Sequence, residues 1–149
     1  MRLRCVLMSD IIPRVVVSVM VLKEGKMLLN FRKGSFASEM FGTPGGKLDN
    51  METFQQCAER EAAEEAGIRI GPVRFVCLMN NFTHNPHHFV NLCVAADWLG
   101  GEPQVLEPEK CASWGWYDLD DLPQPLTEVT KCLVEAYKSR QNYFDAAVL

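Results

Sequence analysis

GKLDNMETFQQCAEREAAEEAGI, Gly46 to Ile68, sets acidic and guanidinium side chains and two glycines at fixed offsets around one short helix. Asp49, Asn50 and Thr53 are helix-start residues, and Thr53 with Gln56 has the spacing of a capping box. From Thr53 to Ala66 the run is rich in alanine and glutamate, both strong helix formers, and Gly67 stands where a left-handed cap ends a helix. The segment is therefore a predicted helix of about four turns. At about 100° per residue, Phe54, Cys57, Ala58 and Ala62 share an apolar arc. Glu61 and Glu65 fall within about 20° of Phe54, and Glu64 lies just beyond Cys57.

A charged run on a helix is ordinarily a solvated stripe. Here the carboxylates lean toward the core, where like charges one turn apart repel and burial adds desolvation. A divalent cation compensates both costs, and magnesium is commonly held by one or two carboxylates plus substrate phosphate oxygens. The stretch Phe41 to Leu48, FGTPGGKL, does not make a phosphate-binding P-loop, because the required first glycine is absent and Leu48 replaces the hydroxyl residue. It reads as a tight glycine turn, stiffened by Pro44, that lets backbone approach a ligand.

The segment resembles the signature of the Nudix hydrolases, which cleave nucleoside diphosphates linked to another moiety. Gly46, Glu52, Arg60-Glu61, Glu64-Glu65, Gly67 and Ile68 fall where that pattern requires them, and Ala62 departs from it by lacking bulk. The resemblance extends from about Arg14 to Leu133 and is to small MutT-like members that act on nucleotides. It implies an α/β fold, an α/β/α sandwich with a mixed, curved central sheet between helices. It also implies magnesium as cofactor, with manganese as a substitute ion. Glu61 and Glu65 would be the main metal ligands, Glu64 a further ligand or the base, and the Gly45 carbonyl part of the metal shell. Glu52 and Arg60 would form an ion pair that fixes loop to helix. Glu109 would reach the metal from another loop, and Arg32 would contact substrate phosphates, with Lys47 a weaker candidate and Lys33 beside it. Phe41, Phe82, Leu126 and Asn80 are candidates for lining a base slot.

The expected reaction is magnesium-dependent attack of water on a (deoxy)nucleoside triphosphate, including oxidised or modified ones, giving monophosphate and pyrophosphate without a covalent enzyme intermediate. ADP-ribose, NADH or dihydroneopterin triphosphate are the alternative substrates. A non-catalytic nucleotide-binding module is disfavoured, since such domains commonly lose signature glutamates and none of the four is missing here.

The rest of the chain fits this expectation. At 149 residues and 48% hydrophobic content it is read as a single domain, residues 1–149, with 1–12 an N-terminal extension or first strand and 126–141 a C-terminal helix. A net charge of -4 and a pI near 5.4 argue against nucleic acid or an anionic membrane as partner. The expected partner is a small-molecule nucleotide, and the protein is expected to be a cytoplasmic monomer or homodimer, because no signal-like or membrane-spanning run is present. The six cysteines lack paired metal-ligand spacing and read as reduced core thiols.

Arg14 to Leu22 and KMLLNFR read as a hairpin around Lys23 to Lys26, followed by a loop from Lys33 to Met40. Val73 to Phe82, His88 to Trp98 and Ser113 to Leu119 are further strands, and Leu126 to Arg140 has helical spacing. Trp114 and Trp116 lie two apart on the last strand, with one expected in the core. The histidines 84, 87 and 88 are expected on a hairpin loop near the pocket mouth rather than around a metal.

Overall fold

A computed structural model describes residues 12–34 and 36–145. The expectation for residues 1–12 lies outside the described residues apart from Ile12. Strands β1 (Arg14–Lys23) and β2 (Lys26–Arg32) form the expected hairpin. Its two-residue turn places Glu24 at φ 50° and Gly25 at φ 79°, the left-handed pair that matches strand twist.

The hairpin is paired only at its closed end, Leu22 with Met27 and Lys23 with Lys26, and then forks. β1 continues beside β4 (Gly45–Lys47), while β2 takes β3 (Phe41–Gly42) and β8 (Cys111–Asp118). On its other edge β1 runs parallel to β7 (His87–Gly100), from Arg14 opposite Phe89 to Leu22 opposite Asp97. β7 also pairs with β6 (Arg74–His84) and β5 (Arg69–Ile70), both antiparallel, and β9 (Tyr143–Asp145) lies parallel to β6. The sheet is mixed, as expected, in the order β3-β2-β1-β7-β6-β9. No helix among the described residues is long and apolar enough to cross a membrane.

Strand alternation divides the core into two layers. Val17, Val19, Val21, Leu28 and Val94 face α1 (Phe54–Ala66), whose Cys57, Ala58, Ala62 and Ala66 are buried against them. Met20, Met27, Leu29, Met79 and Cys93 face α2 (Glu128–Ser139), whose Cys132, Leu133 and Ala136 complete that layer. One helix therefore covers each face. Phe54 departs from the expected apolar arc: it is 47% exposed at the first turn, and Ala66 carries the stripe instead. The capping box of Thr53 and Gln56 and the left-handed Gly67, at φ 69°, both form.

Cys57, Cys77, Cys93, Cys111 and Cys132 are free and buried. Trp114 and Trp116 both pack, partly buried, onto the α1 layer, because residues two apart on a strand share a face. Strands β3, β4, β5 and β9 have only two or three residues each, too few for a readable period.

Candidate active site

The fork between β1 and β2 opens a cavity of about 680 Å³ beside the inner face of α1. Gly45 and Gly46 form its backbone edge because nothing larger fits there. A β-carbon on Gly45 would strike the Val17 carbonyl and Ser18, and one on Gly46 would overlap the Glu61 carboxylate. The Pro44 carbonyl anchors this turn by accepting from the Val19 N–H at 2.8 Å.

Glu65 is partly buried and accepts a hydrogen bond at 3.1 Å from the Gly45 amide. Gly45 thus enters the site through its N–H. Desolvation first, then hydrogen bonding with Glu61 and the nearby charges of Glu61 and Glu107, push the Glu65 carboxyl up to about 9. Two carboxylates compressed at a backbone edge in this way form an oxygen donor set that suits a hard divalent cation.

Arg60 organises the outer side. Its Nε and Nη2 donate to Glu52 at 2.7 and 3.0 Å, a two-point fork. Its Nη1 donates to Glu61 at 2.7 Å, and Nη2 also reaches the Lys47 carbonyl at 3.1 Å. Glu52 further accepts from the Asp49 amide at 2.9 Å, and these bonds, Arg60 foremost, hold its carboxyl down to about 2. The expected pair is therefore part of a larger brace joining the Lys47–Glu52 loop, Arg60 and Glu61.

Glu64 stands apart from its expected place. Its side chain is 56% exposed, reaches Arg60 at 3.4 Å and does not line the cavity. One residue's rotation about the helix axis from Glu65 carries it outward.

Arg32, Lys33, Lys47 and Lys110 line the same cavity as Glu61 and Glu65 and bring positive charge to it. Arg32 donates to the Phe36 carbonyl at 3.4 and 3.3 Å, so it also holds the Lys33–Met40 loop. Glu109 lines the cavity as expected, yet Glu107 is the carboxylate of that loop whose charge bears on Glu65. Amides of Lys110 and Cys111 both donate to the Glu107 carbonyl at 3.0 Å, a turn that fixes its position. The resemblance singles out Glu109, and both glutamates that flank Pro108 line the cavity.

A second lobe of about 550 Å³ shares Val16, Arg32, Phe36, Gly45 and Phe89 with the first and runs between the sheet and the start of α2. The residues expected to line a base slot do not line it. Phe41 packs in the core against Phe31 and Tyr117 at 5.0 and 5.6 Å, and Leu126 is 5% exposed. Phe82 and Asn80 have the wrong parity on β6: the odd residues Asn81 and Thr83 face the lobe. Asn80 instead bonds Asp145 and His88 at 3.0 and 2.6 Å. Phe36, which sequence reading passed over as a loop residue, contacts the rings of His84 and His87 at 4.7 and 5.7 Å. Those histidines stand at the end of the β6–β7 hairpin, and no three His, Cys, Asp or Glu side chains among the described residues are grouped to hold a metal ion, so the donor set at the glycine edge is the pair Glu61 and Glu65.

Residues 12–137 match the family described as NUDIX domain. The chain is 32% identical over 133 residues to the NAD-capped RNA hydrolase NudC of Stutzerimonas stutzeri, covering 87% of this chain and 46% of that protein. It is 30% identical over 111 residues to the oxidized purine nucleoside triphosphate hydrolase of Danio rerio, covering 70% and 66% respectively. The chain spans about half the length of the NudC proteins it matches. Among solved structures, the MutT NUDIX hydrolase from Burkholderia pseudomallei superposes with a TM-score of 0.79 at 36% identity, covering 84% of this chain and 98% of that one. Signature helix, forked hairpin and mixed sheet agree with these likenesses: the chain belongs to the NUDIX domain family.

Proposed function

We propose that this protein is a magnesium-dependent pyrophosphohydrolase that cleaves (deoxy)nucleoside triphosphates, oxidised or modified ones included, to the monophosphate and pyrophosphate. The observation that carries the reading is the joined cavity. A carboxylate-and-cation lobe suited to a diphosphate opens directly into a more apolar lobe of about 550 Å³, within the range of small-molecule sites. Nudix hydrolases generally use a divalent metal. Glu61 and Glu65 are the side chains here that would hold it, together with phosphate oxygens of the substrate. Bound there, it would neutralise charge on the diphosphate oxygens and acidify water.

The chain's own groups supply the rest. Arg32 and Lys47 orient the phosphates and stabilise charge that grows on the departing one. The Gly45 amide fixes one oxygen of Glu65 at the edge of the cavity. Arg60 holds the Glu61 carboxylate in place, and its own tie to Glu52 prevents it from competing for phosphate.

A second reading, a diphosphate joining two nucleosides, is favoured by a third lobe of about 420 Å³ bordered by Arg14, Arg32, Lys47 and the stacked rings of His87 and Phe89. The NudC relatives carry the name NAD-capped RNA hydrolase, so the expectation of no nucleic-acid partner is open to test on the same footing. Purified protein should be assayed with magnesium against normal and oxidised nucleoside triphosphates, ADP-ribose, NADH, dihydroneopterin triphosphate and NAD-capped RNA. Pyrophosphate released from triphosphates at the highest kcat/KM is the expected result. Faster release of a monophosphate from NADH or capped RNA would replace it with the second reading.

A further inference from the structure

We propose that Phe36 is a partition between the second and third lobes that fixes which end of an unsymmetrical substrate enters each, and so which phosphorus water attacks. This rests on the reading above that the substrate is a nucleotide, and it adds the residue that would set the direction in which that nucleotide lies across the metal site.

Arg32, Phe36 and Phe89 are common to all three lobes, so the lobes meet at one junction. Phe36 is the member of this trio contributed by a loop, and it is 38% exposed. Its carbonyl accepts from Arg32 at 3.4 and 3.3 Å, which ties its backbone to the end of β2. Its ring rests on the tip of the β6–β7 hairpin. There it meets His84, which lines the second lobe, at 4.7 Å and His87, which lines the third, at 5.7 Å. Phe89 meets it edge-on at 6.3 Å. A ring in contact with a wall of each lobe stands on their boundary and offers surface to both.

The two sides of that boundary differ in chemistry. Val16, Met40, Phe89 and Val129 give the second lobe apolar walls, and its carboxylate, Glu128, is paired with Lys131 at 2.9 Å. The third lobe is lined by Arg14, Arg32 and Lys47, with His87 and His88, and by no carboxylate among the described residues. An anion is costly to bury against apolar walls, whereas guanidinium and ammonium groups hold phosphate. The more apolar arm of a substrate therefore belongs on the second-lobe side of Phe36, and a terminal phosphate or other polar end on the third-lobe side. The diphosphate between them then lies beside Glu61 and Glu65. Without the ring the two lobes join, and the substrate can lie across the site in either direction.

Direction is readable in the products. In hydrolysis the water oxygen bonds to one phosphorus, the bridging oxygen leaves with the other, and the protons go to product phosphate or solvent. Turnover in heavy-oxygen water therefore marks the phosphorus attacked, and reversing the substrate moves the label to the other product without changing the products themselves.

The test runs wild type, Phe36→Ala, Phe36→Leu and His84→Ala in heavy-oxygen water on the preferred nucleoside triphosphate and on ADP-ribose, and locates the label by mass spectrometry. Wild type should place it in one product. Phe36→Ala should lower that preference about tenfold, the scale of one aromatic contact, and Phe36→Leu, which keeps bulk, should largely retain it. His84→Ala takes away the ring's nearest support and should shift the label in the same sense, so it decides should Phe36→Ala fail to fold. A label that stays in one product in the deciding variant, or is divided between both products in wild type, overturns the partition even where kcat falls, because lost stability slows turnover without redirecting it. A wild type that spares triphosphates but labels one product of ADP-ribose, with both appearing in Phe36→Ala, keeps the partition and rejects only the triphosphate reading. A wild type that turns over neither substrate overturns both.

Discussion

The amide of Gly45 donates to Glu65 at 3.1 Å, so the shortest strand beside β1 and the last turn of α1 meet at one carboxylate oxygen. This bond alone favours the ionised form. Burial and Glu61 outweigh it, and the carboxyl is raised to about 9. The sign of the linked stability follows. A folded-state value above the unfolded one means that the contribution is fully present below about pH 4.5 and is lost as pH rises through about 9. Metal-free protein should therefore melt at a lower temperature at pH 9 than at pH 6, and added magnesium should raise the melting temperature more at the higher pH. Melting curves with and without chelator check this, and a metal-free Tm independent of pH across that interval would sink it.

Glu65→Gln removes the charge and keeps the shape. Activity should fall by about a hundredfold or more, since the substitution removes a ligand oxygen's charge. At pH 9 the metal-free variant should be more stable than the metal-free wild type, because the buried charge is gone. Parallel kinetics and melting measurements read both effects. A variant that keeps full activity would remove Glu65 from the metal site.

Gly46→Ala tests the close approach of loop and helix. The added methyl overlaps the Glu61 carboxylate, which must swing away from Glu65 and from Arg60. The expected result is a folded protein with magnesium affinity about tenfold weaker. Gly45→Ala differs, because its methyl meets the backbone of β1 and cannot be relieved by a side-chain rotation. Its expected effect is on stability, about 1–3 kcal/mol as for overpacking. Equal Tm loss in the two variants would contradict the distinction.

These contrasts show how much was legible in the sequence. The helix, its caps and the inward lean of Glu61 and Glu65 follow from local chemistry, which the chain states within a single segment. The Glu52–Arg60 contact spans eight residues and was legible for the same reason. Residues contributed by other strands were not. Asn91 and Ser18 meet only because β1 runs parallel to β7, and parallel pairing leaves no local mark. Phe41 and Phe82 look alike in sequence, yet position relative to the α2 layer sends one into the core and the other to the outer face.

Glu52 predicts acid behaviour. Held at about 2 by Arg60 and the Asp49 amide, it contributes stability above about pH 4.5 that is lost as pH falls toward 2. In Glu52→Gln that part of the acid sensitivity should vanish, and Arg60→Lys should lose it in part, because a lysine cannot reproduce the two-point fork. Tm measured from pH 6 to pH 3 checks this. The same acid slope in Glu52→Gln as in wild type would show that the brace does not set it.

Glu107 and Glu109 flank Pro108 and both line the cavity, but they differ in what they touch. Glu107 is tied by the turn to Lys110 and Cys111, its carboxylate meets Lys110 at 3.3 Å, and its charge adds to the rise at Glu65. Glu109 is exposed. If magnesium is shared between α1 and this loop, Glu107→Gln should lower kcat/KM by about ten- to a hundredfold and raise the magnesium concentration needed for half-maximal rate, with Glu109→Gln within about threefold of wild type. Magnesium titrations of the two variants separate the cases. A larger defect in Glu109→Gln would return the loop carboxylate to the residue that the resemblance singles out.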